Sequence, residues 1–89
     1  MYQIETTPEF DRDIKSLDPP VALRIIEKIE WLAHNPELLK HPLKNLPKDL
    51  KGLQKYKVGE YRVLLWAEHR NKTMVLYGVE HRKTVYKKL

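Results

Sequence analysis

Cysteine is absent from the 89-residue chain, which excludes disulfides, thiol catalysis and cysteine-based zinc or iron–sulfur sites. Serine occurs once, as Ser16 in a helical segment, and glycine three times. A serine nucleophile and a glycine-rich phosphate loop are therefore not expected. No apolar run approaches the ~18 residues of a membrane span. The opening Met1-Tyr2-Gln3-Ile4-Glu5 lacks the basic and apolar regions of a secretory signal. His34, His41 and His69 are scattered and read as surface residues, and no histidine pair has a metal-ligand spacing. Carboxylate pairs suited to glycoside hydrolysis are missing as well. The expectation is one small cytoplasmic domain over residues 1–89, with no metal or organic cofactor and no membrane association.

What the chain does have is positive charge in one half. Seventeen Lys and Arg against twelve Asp and Glu leave a net charge of +5. Residues 1–44 carry six basic and eight acidic side chains, whereas residues 45–89 carry eleven basic and four acidic ones. A basic surface confined to one half is a common footprint for a polyphosphate partner, although solvated surface charge has the same appearance.

The pattern of apolar residues predicts an α+β fold. Residues 2–6 alternate as a half-buried strand does. Thr6 and Glu9 are spaced as a capping box with Pro8 in the first turn. The Phe10, Ile14, Leu17 spacing then predicts a short helix. Asp18-Pro19 starts a second helix, whose stripe of Ala22, Ile25, Ile26, Ile29, Leu32 and Ala33 ends before Asn35-Pro36. Residues 36–51 read as an irregular loop with a helical turn around Glu37–Lys40. Segments 53–58, 61–67 and 73–80 read as an antiparallel meander, followed by a basic tail with one or two helical turns. The order is β-α-α-β-β-β-(α), a helical hairpin packed on a mainly antiparallel four-stranded sheet.

With Gly59-Glu60 as a two-residue loop, Val58 pairs with Tyr61, Lys57 with Arg62, Tyr56 with Val63 and Lys55 with Leu64. One face then carries Tyr56, Val58, Tyr61, Val63 and Leu65 as a core surface, and the other carries Lys55, Lys57 and Arg62. Directly opposed Lys57 and Arg62 are unfavourable unless an anion lies between them; a solvated face with splayed side chains is the alternative. Trp66 falls on this basic face, where it packs on the C-terminal segment or offers a stacking surface. Tyr77 joins Tyr56 and Tyr61 as an expected core aromatic. His81, with Arg82 and Tyr86 beyond it, is an acid–base candidate because imidazole titrates near neutrality. Tyr86 is placed to stack on a base.

The run Gly52-Leu53-Gln54-Lys55-Tyr56-Lys57-Val58-Gly59-Glu60-Tyr61-Arg62-Val63, followed by Val79-Glu80-His81-Arg82-Lys83-Thr84-Val85-Tyr86, resembles the RelE/ParE superfamily of toxins from toxin–antitoxin systems. The resemblance covers essentially the whole chain. It implies a ribosome-dependent mRNA endonuclease acting in the ribosomal A site, neutralised by a cognate RelB-like antitoxin. It also implies cleavage without metal, by attack of the ribose 2′-OH on the adjacent phosphodiester. By the same resemblance Arg62 and Arg82 match the phosphate-holding arginines, Lys55 an active-site lysine, Lys57 a further basic position and Tyr86 the C-terminal tyrosine. Lys51, Lys83 and Lys87 are the accompanying RNA-binding candidates. A second family lysine falls on Leu53 and is missing here or replaced by Lys51 or Lys57. His81 corresponds to a histidine used as acid or base in some branches. Two other readings share the fold: a ParE-like inhibitor of DNA gyrase without nuclease activity, and a degenerate toxin that only binds an antitoxin.

Overall fold

A computed structural model describes residues 1–39 and 43–81 of the chain. Its first element is strand β1, Gln3–Thr6, which runs directly into helix α1, Pro8–Lys15. The cap of α1 is Thr7 rather than Thr6: its Oγ1 accepts the Phe10 N–H at 3.2 Å, and Pro8 takes the first helical position. The shift of one residue has a physical reason. Thr7 Oγ1 also lies 2.9 Å from the Leu76 carbonyl and 3.1 Å from that of Tyr77. One hydroxyl thus closes the helix start and fastens it to a strand far along the chain.

Helix α2 runs from Pro19 to His34 with Asp18 at the cap position, and the Asp18 side chain makes no capping bond. Its stripe of Ile25, Ile29, Leu32 and Ala33 is buried, as the helical period requires. Asn35 stops it, because the residue before a proline is driven out of helical geometry. The Asn35 Nδ2–H group donates to the Trp31 carbonyl at 2.9 Å and closes the last turn. Short 3-10 turns follow at Pro36–Leu38 and Lys48–Leu50.

Strands β2 (Gln54–Val58), β3 (Tyr61–Glu68) and β4 (Thr73–His81) form the antiparallel meander. The β2–β3 register is Lys55 with Leu64, Tyr56 with Val63, Lys57 with Arg62 and Val58 with Tyr61, as the two-residue turn predicts. Gly59 opens that turn at φ +59°, a conformation that favours glycine and matches the twist of the flanking strands. The sheet order is β1-β4-β3-β2, with β1 parallel to β4. The sheet is therefore mixed, two antiparallel pairings and one parallel, and the helical hairpin intervenes between its first strand and the rest.

The core lies between one sheet face and the helices. Phe10, Ile25, Ile29, Leu32, Val58, Val63, Leu65, Met74, Leu76 and Val79 form it, with Tyr56 and Tyr61 packed at its margin. On β4 the core residues change phase, from Met74 and Leu76 to Val79. The cause is a bulge: Leu64 pairs with Gly78 while the next residue, Leu65, pairs with Leu76, leaving Tyr77 as the extra residue. Tyr77 alternates with the core residues Met74 and Leu76, so it turns away from the core and sets its ring against Trp66, centroids 5.3 Å apart. The expectation of a core Tyr77 is corrected by this alternation, and the bulge is what returns Val79 to the core side.

Candidate nucleic-acid interface

The sheet face away from the helices carries the predicted cations. Lys55 and Lys57 project from β2 and are exposed; Arg62 projects from β3 and is half-buried. Strand alternation places all three on one side, since their neighbours Tyr56, Tyr61 and Val63 belong to the core side. Arg62 stands opposite Lys57 on one flank and opposite Glu80 of β4 on the other. Glu80 is only 4% exposed. A row Lys57–Arg62–Glu80 thus crosses three strands, with two like charges adjacent and a buried carboxylate on the far side of the arginine. Directly opposed residues in such a row have Cβ atoms ~4.5–5.5 Å apart, so the carboxylate offsets part of the repulsion that the two cations impose.

Further along β3, Leu64 and Trp66 continue the same face. Leu64 is buried although it stands outside the main core. Trp66 is half-buried, and its indole N–H donates to the Lys51 carbonyl at 3.1 Å. This bond draws the loop before β2 across the end of the face and brings Lys51, an exposed residue, beside it.

The edge of β4 beyond β1 is closed by α1. β1 pairs with β4 only as far as Leu76. Past that point Asp13 takes over, and its Oδ2 accepts the Val79 N–H at 2.9 Å. A Cβ added at Gly78 would lie 2.9 Å from the same oxygen, so glycine permits the approach. Glu9, Arg12 and Asp13 of α1 line a cleft of about 310 Å3 with Leu64, Tyr77, Gly78 and Glu80. A larger apolar groove of about 550 Å3, between α1, α2 and β1, is lined by Ile4, Phe10, Ile14, Ile26, Ile29 and Leu76; none of the sequence-derived cations lines it.

The predicted site residues are thus partly assembled. Lys55, Lys57 and Arg62 share one face, with Lys51 at its end. His81 is set apart: it pairs with Tyr61 across β3–β4, and the two rings meet edge to face at 5.2 Å on the core side of the sheet. Arg82, Lys83, Tyr86 and Lys87 lie outside the described residues. Glu80 and Asp13 were not among the sequence-derived candidates. Both depend on the phase of β4 at its bulge, which strict alternation along residues 73–80 does not reveal. Among the described residues no group of three His, Cys, Asp or Glu side chains is placed to hold a metal ion. None of the described helices is long and apolar enough to cross a membrane.

A helical hairpin on a four-stranded sheet with this order is the fold of the RelE toxins. The structure superposes on the toxin–antitoxin complex RelBE2 from Mycobacterium tuberculosis with a TM-score of 0.77 and 27% identity, covering 91% of this chain and 98% of that one. It superposes on the isolated Escherichia coli RelE toxin with a TM-score of 0.72 and 14% identity over the whole of both chains. For the RelB–RelE complex from Methanococcus jannaschii the TM-score is 0.63 at 22% identity, covering 96% of this chain and 98% of that one. No match is found among the curated protein sequences. The family model described as ParE toxin of type II toxin-antitoxin system, parDE, matches residues 4–86. The chain belongs to this family and is a RelE/ParE-type toxin of a type II toxin–antitoxin system.

Proposed function

We propose that this toxin is a ribosome-dependent mRNA endonuclease that stops translation by cutting mRNA in the A site. The observation that carries the reading is the Lys57–Arg62 pair, two cations opposed on an accessible sheet face where a bound phosphate offsets their repulsion. In-line attack of a ribose 2′-OH on the adjacent phosphodiester forms the P–O2′ bond and breaks the P–O5′ bond, leaving a 2′,3′-cyclic phosphate and a 5′-oxygen that takes up a proton, and it gathers negative charge on the phosphoryl oxygens. Fixed cations aimed at that charge stabilise it without reorganising. Arg62 suits this role because its planar, permanently charged guanidinium contacts two phosphate oxygens at once. Lys55 and Lys57 stand beside it on β2, and Arg82 and Tyr86 complete the site in the manner the family resemblance implies. A lysine of β2, Lys55 or Lys57, takes the proton from the attacking hydroxyl, since His81 lies against Tyr61 on the other side of the sheet.

The protein partner is a RelB-like antitoxin, and the working place is the cytoplasm, where ribosomes and mRNA are. The solved complexes from Mycobacterium tuberculosis and Methanococcus jannaschii support an antitoxin partner. A second reading, a ParE-like inhibitor of DNA gyrase without nuclease chemistry, is favoured by the family model that matches residues 4–86. Induced expression in a bacterial host separates the two. The nuclease reading expects new mRNA 5′ ends within codons and their loss in Arg62→Ala, with the variant's circular dichroism spectrum unchanged. Altered plasmid supercoiling with intact mRNA, undiminished in Arg62→Ala, refutes it in favour of gyrase.

A further inference from the structure

We infer that Trp66, braced by Tyr77, is a stacking platform for a nucleobase of the RNA strand whose phosphate is held at Arg62. The inference rests on the nuclease reading and adds a recognition site to it.

Three observations converge on Trp66. Strand alternation puts its ring on the same face as Lys55, Lys57 and Arg62. The ring is only half-buried although it is the largest apolar side chain on that face. Its orientation is fixed at two points, by the indole N–H bond to the Lys51 carbonyl at 3.1 Å and by the edge-to-face contact with Tyr77, centroids 5.3 Å apart and planes at 69°. The Tyr77 contact exists because alternation with the core residues Met74 and Leu76 puts that ring on this face. Gly52, at φ +87°, lies beside the indole on the loop side, where an added Cβ would sit 3.8 Å from Cδ1.

A rigid, partly exposed aromatic beside fixed cations is how single-stranded nucleic acid is held: cations track the backbone and the ring takes a base. The spacing limits which base. Four residues of strand separate the backbones of Arg62 and Trp66, ~13 Å at the rise of an extended chain, and the arginine side chain can lean along the strand to shorten the gap. A base on Trp66 thus belongs to a nucleotide at or next to the phosphate on Arg62. Trp66 therefore orders the strand beside the cut, and it favours bases with a large π surface over a particular hydrogen-bonding pattern.

The test is single-turnover cleavage of mRNA on programmed ribosomes. The mRNAs carry one abasic nucleotide at each position flanking the cut in turn. For the wild-type toxin, one flanking position is expected to slow cleavage by about 10-fold when its base is removed. Trp66→Leu is expected to slow the intact mRNA by a similar factor and to be insensitive to the abasic nucleotide at that position. Trp66→Phe, which keeps a π face, is expected to retain most of the rate. If the toxin cleaves but no flanking base matters, or if the abasic and Trp66→Leu effects multiply independently, the platform is refuted while the nuclease reading stands. If the wild-type toxin cuts no mRNA on ribosomes, the nuclease reading fails and the platform falls with it. The abasic series on the wild-type protein does not depend on any variant folding.

Discussion

Removing the Asp13 carboxylate is expected to release α1 from the sheet, with an effect that depends on what stands at residue 78. Asp13 Oδ2 accepts the Val79 N–H at 2.9 Å in a part-buried setting. Asp13→Ala leaves that amide without its charged acceptor, a loss of about 2 kcal/mol. At ~4–8 °C per kcal/mol for a domain of this size, the melting midpoint falls by about 8–16 °C. Gly78→Ala attacks the same contact from the other side, since its Cβ would lie 2.9 Å from Oδ2 and must push the carboxylate off the amide. In the wild-type background Gly78→Ala is therefore destabilising. In the Asp13→Ala background the obstacle is gone, and the added methyl stabilises by about 0.4–1 kcal/mol through the reduced freedom of the unfolded chain. The sign of the Gly78→Ala effect thus reverses between the two backgrounds, which a four-member cycle of urea melts followed by circular dichroism reads directly. Equal Gly78→Ala effects in both backgrounds would show that the carboxylate does not hold the β4 edge, and the account of how α1 docks would be wrong.

Thr7→Ala removes the cap of α1 and its link to β4 together, and is expected to cost about 1–2 kcal/mol in urea denaturation. Thr6→Ala is expected to cost less, since Thr6 makes neither bond. At the first hairpin, Gly59→Ala forces a side chain into a conformation with φ +59°; a loss of about 1 kcal/mol is expected, and an unchanged melting curve would refute the strained turn. Lys57→Ala relieves a like-charge pair and is expected to keep or slightly raise the melting temperature while reducing toxicity. Arg62→Ala relieves the same pair but takes the cation from beside the buried Glu80, so it is expected to lower the melting temperature while abolishing toxicity. A Lys57→Ala variant that loses stability along with toxicity would place that side chain in the structure rather than in the site.

The β2–β3 hairpin was fully legible in the sequence. A two-residue loop leaves no freedom of register, so Lys55, Lys57 and Arg62 fall on one face once Gly59-Glu60 is recognised. Helix α2 was legible for a similarly local reason, with Pro19 at one end and Asn35-Pro36 at the other. β4 was legible as a strand over 73–80 but not in its phase, because it is apolar on both faces and its phase changes within the strand. Nothing in the order of Leu76, Tyr77, Gly78 and Val79 says where a ladder gains an extra residue; that is decided by Leu64 and Leu65 on the neighbouring strand. The shift of the α1 cap from Thr6 to Thr7 has the same origin, since the deciding acceptors belong to Leu76 and Tyr77. Contacts between neighbours in sequence could be read, and those that join residues nearly seventy positions apart required the structure.

The bulge at Tyr77 acts as a frame marker for the end of β4. Downstream of it, every residue takes the side it would not have taken in an uninterrupted ladder. Glu80 faces Arg62, and His81 faces Tyr61, because one extra residue precedes them. Were the bulge smoothed out in the same sequence, Leu64 would pair with Tyr77 and Arg62 with Val79, and Glu80 would turn to the core side opposite Tyr61. The carboxylate beside Arg62 is therefore placed by the bulge rather than by composition alone. In this fold a change outside the cation row that removes the bulge can rewrite the chemistry beside the row while every cation in it stays the same.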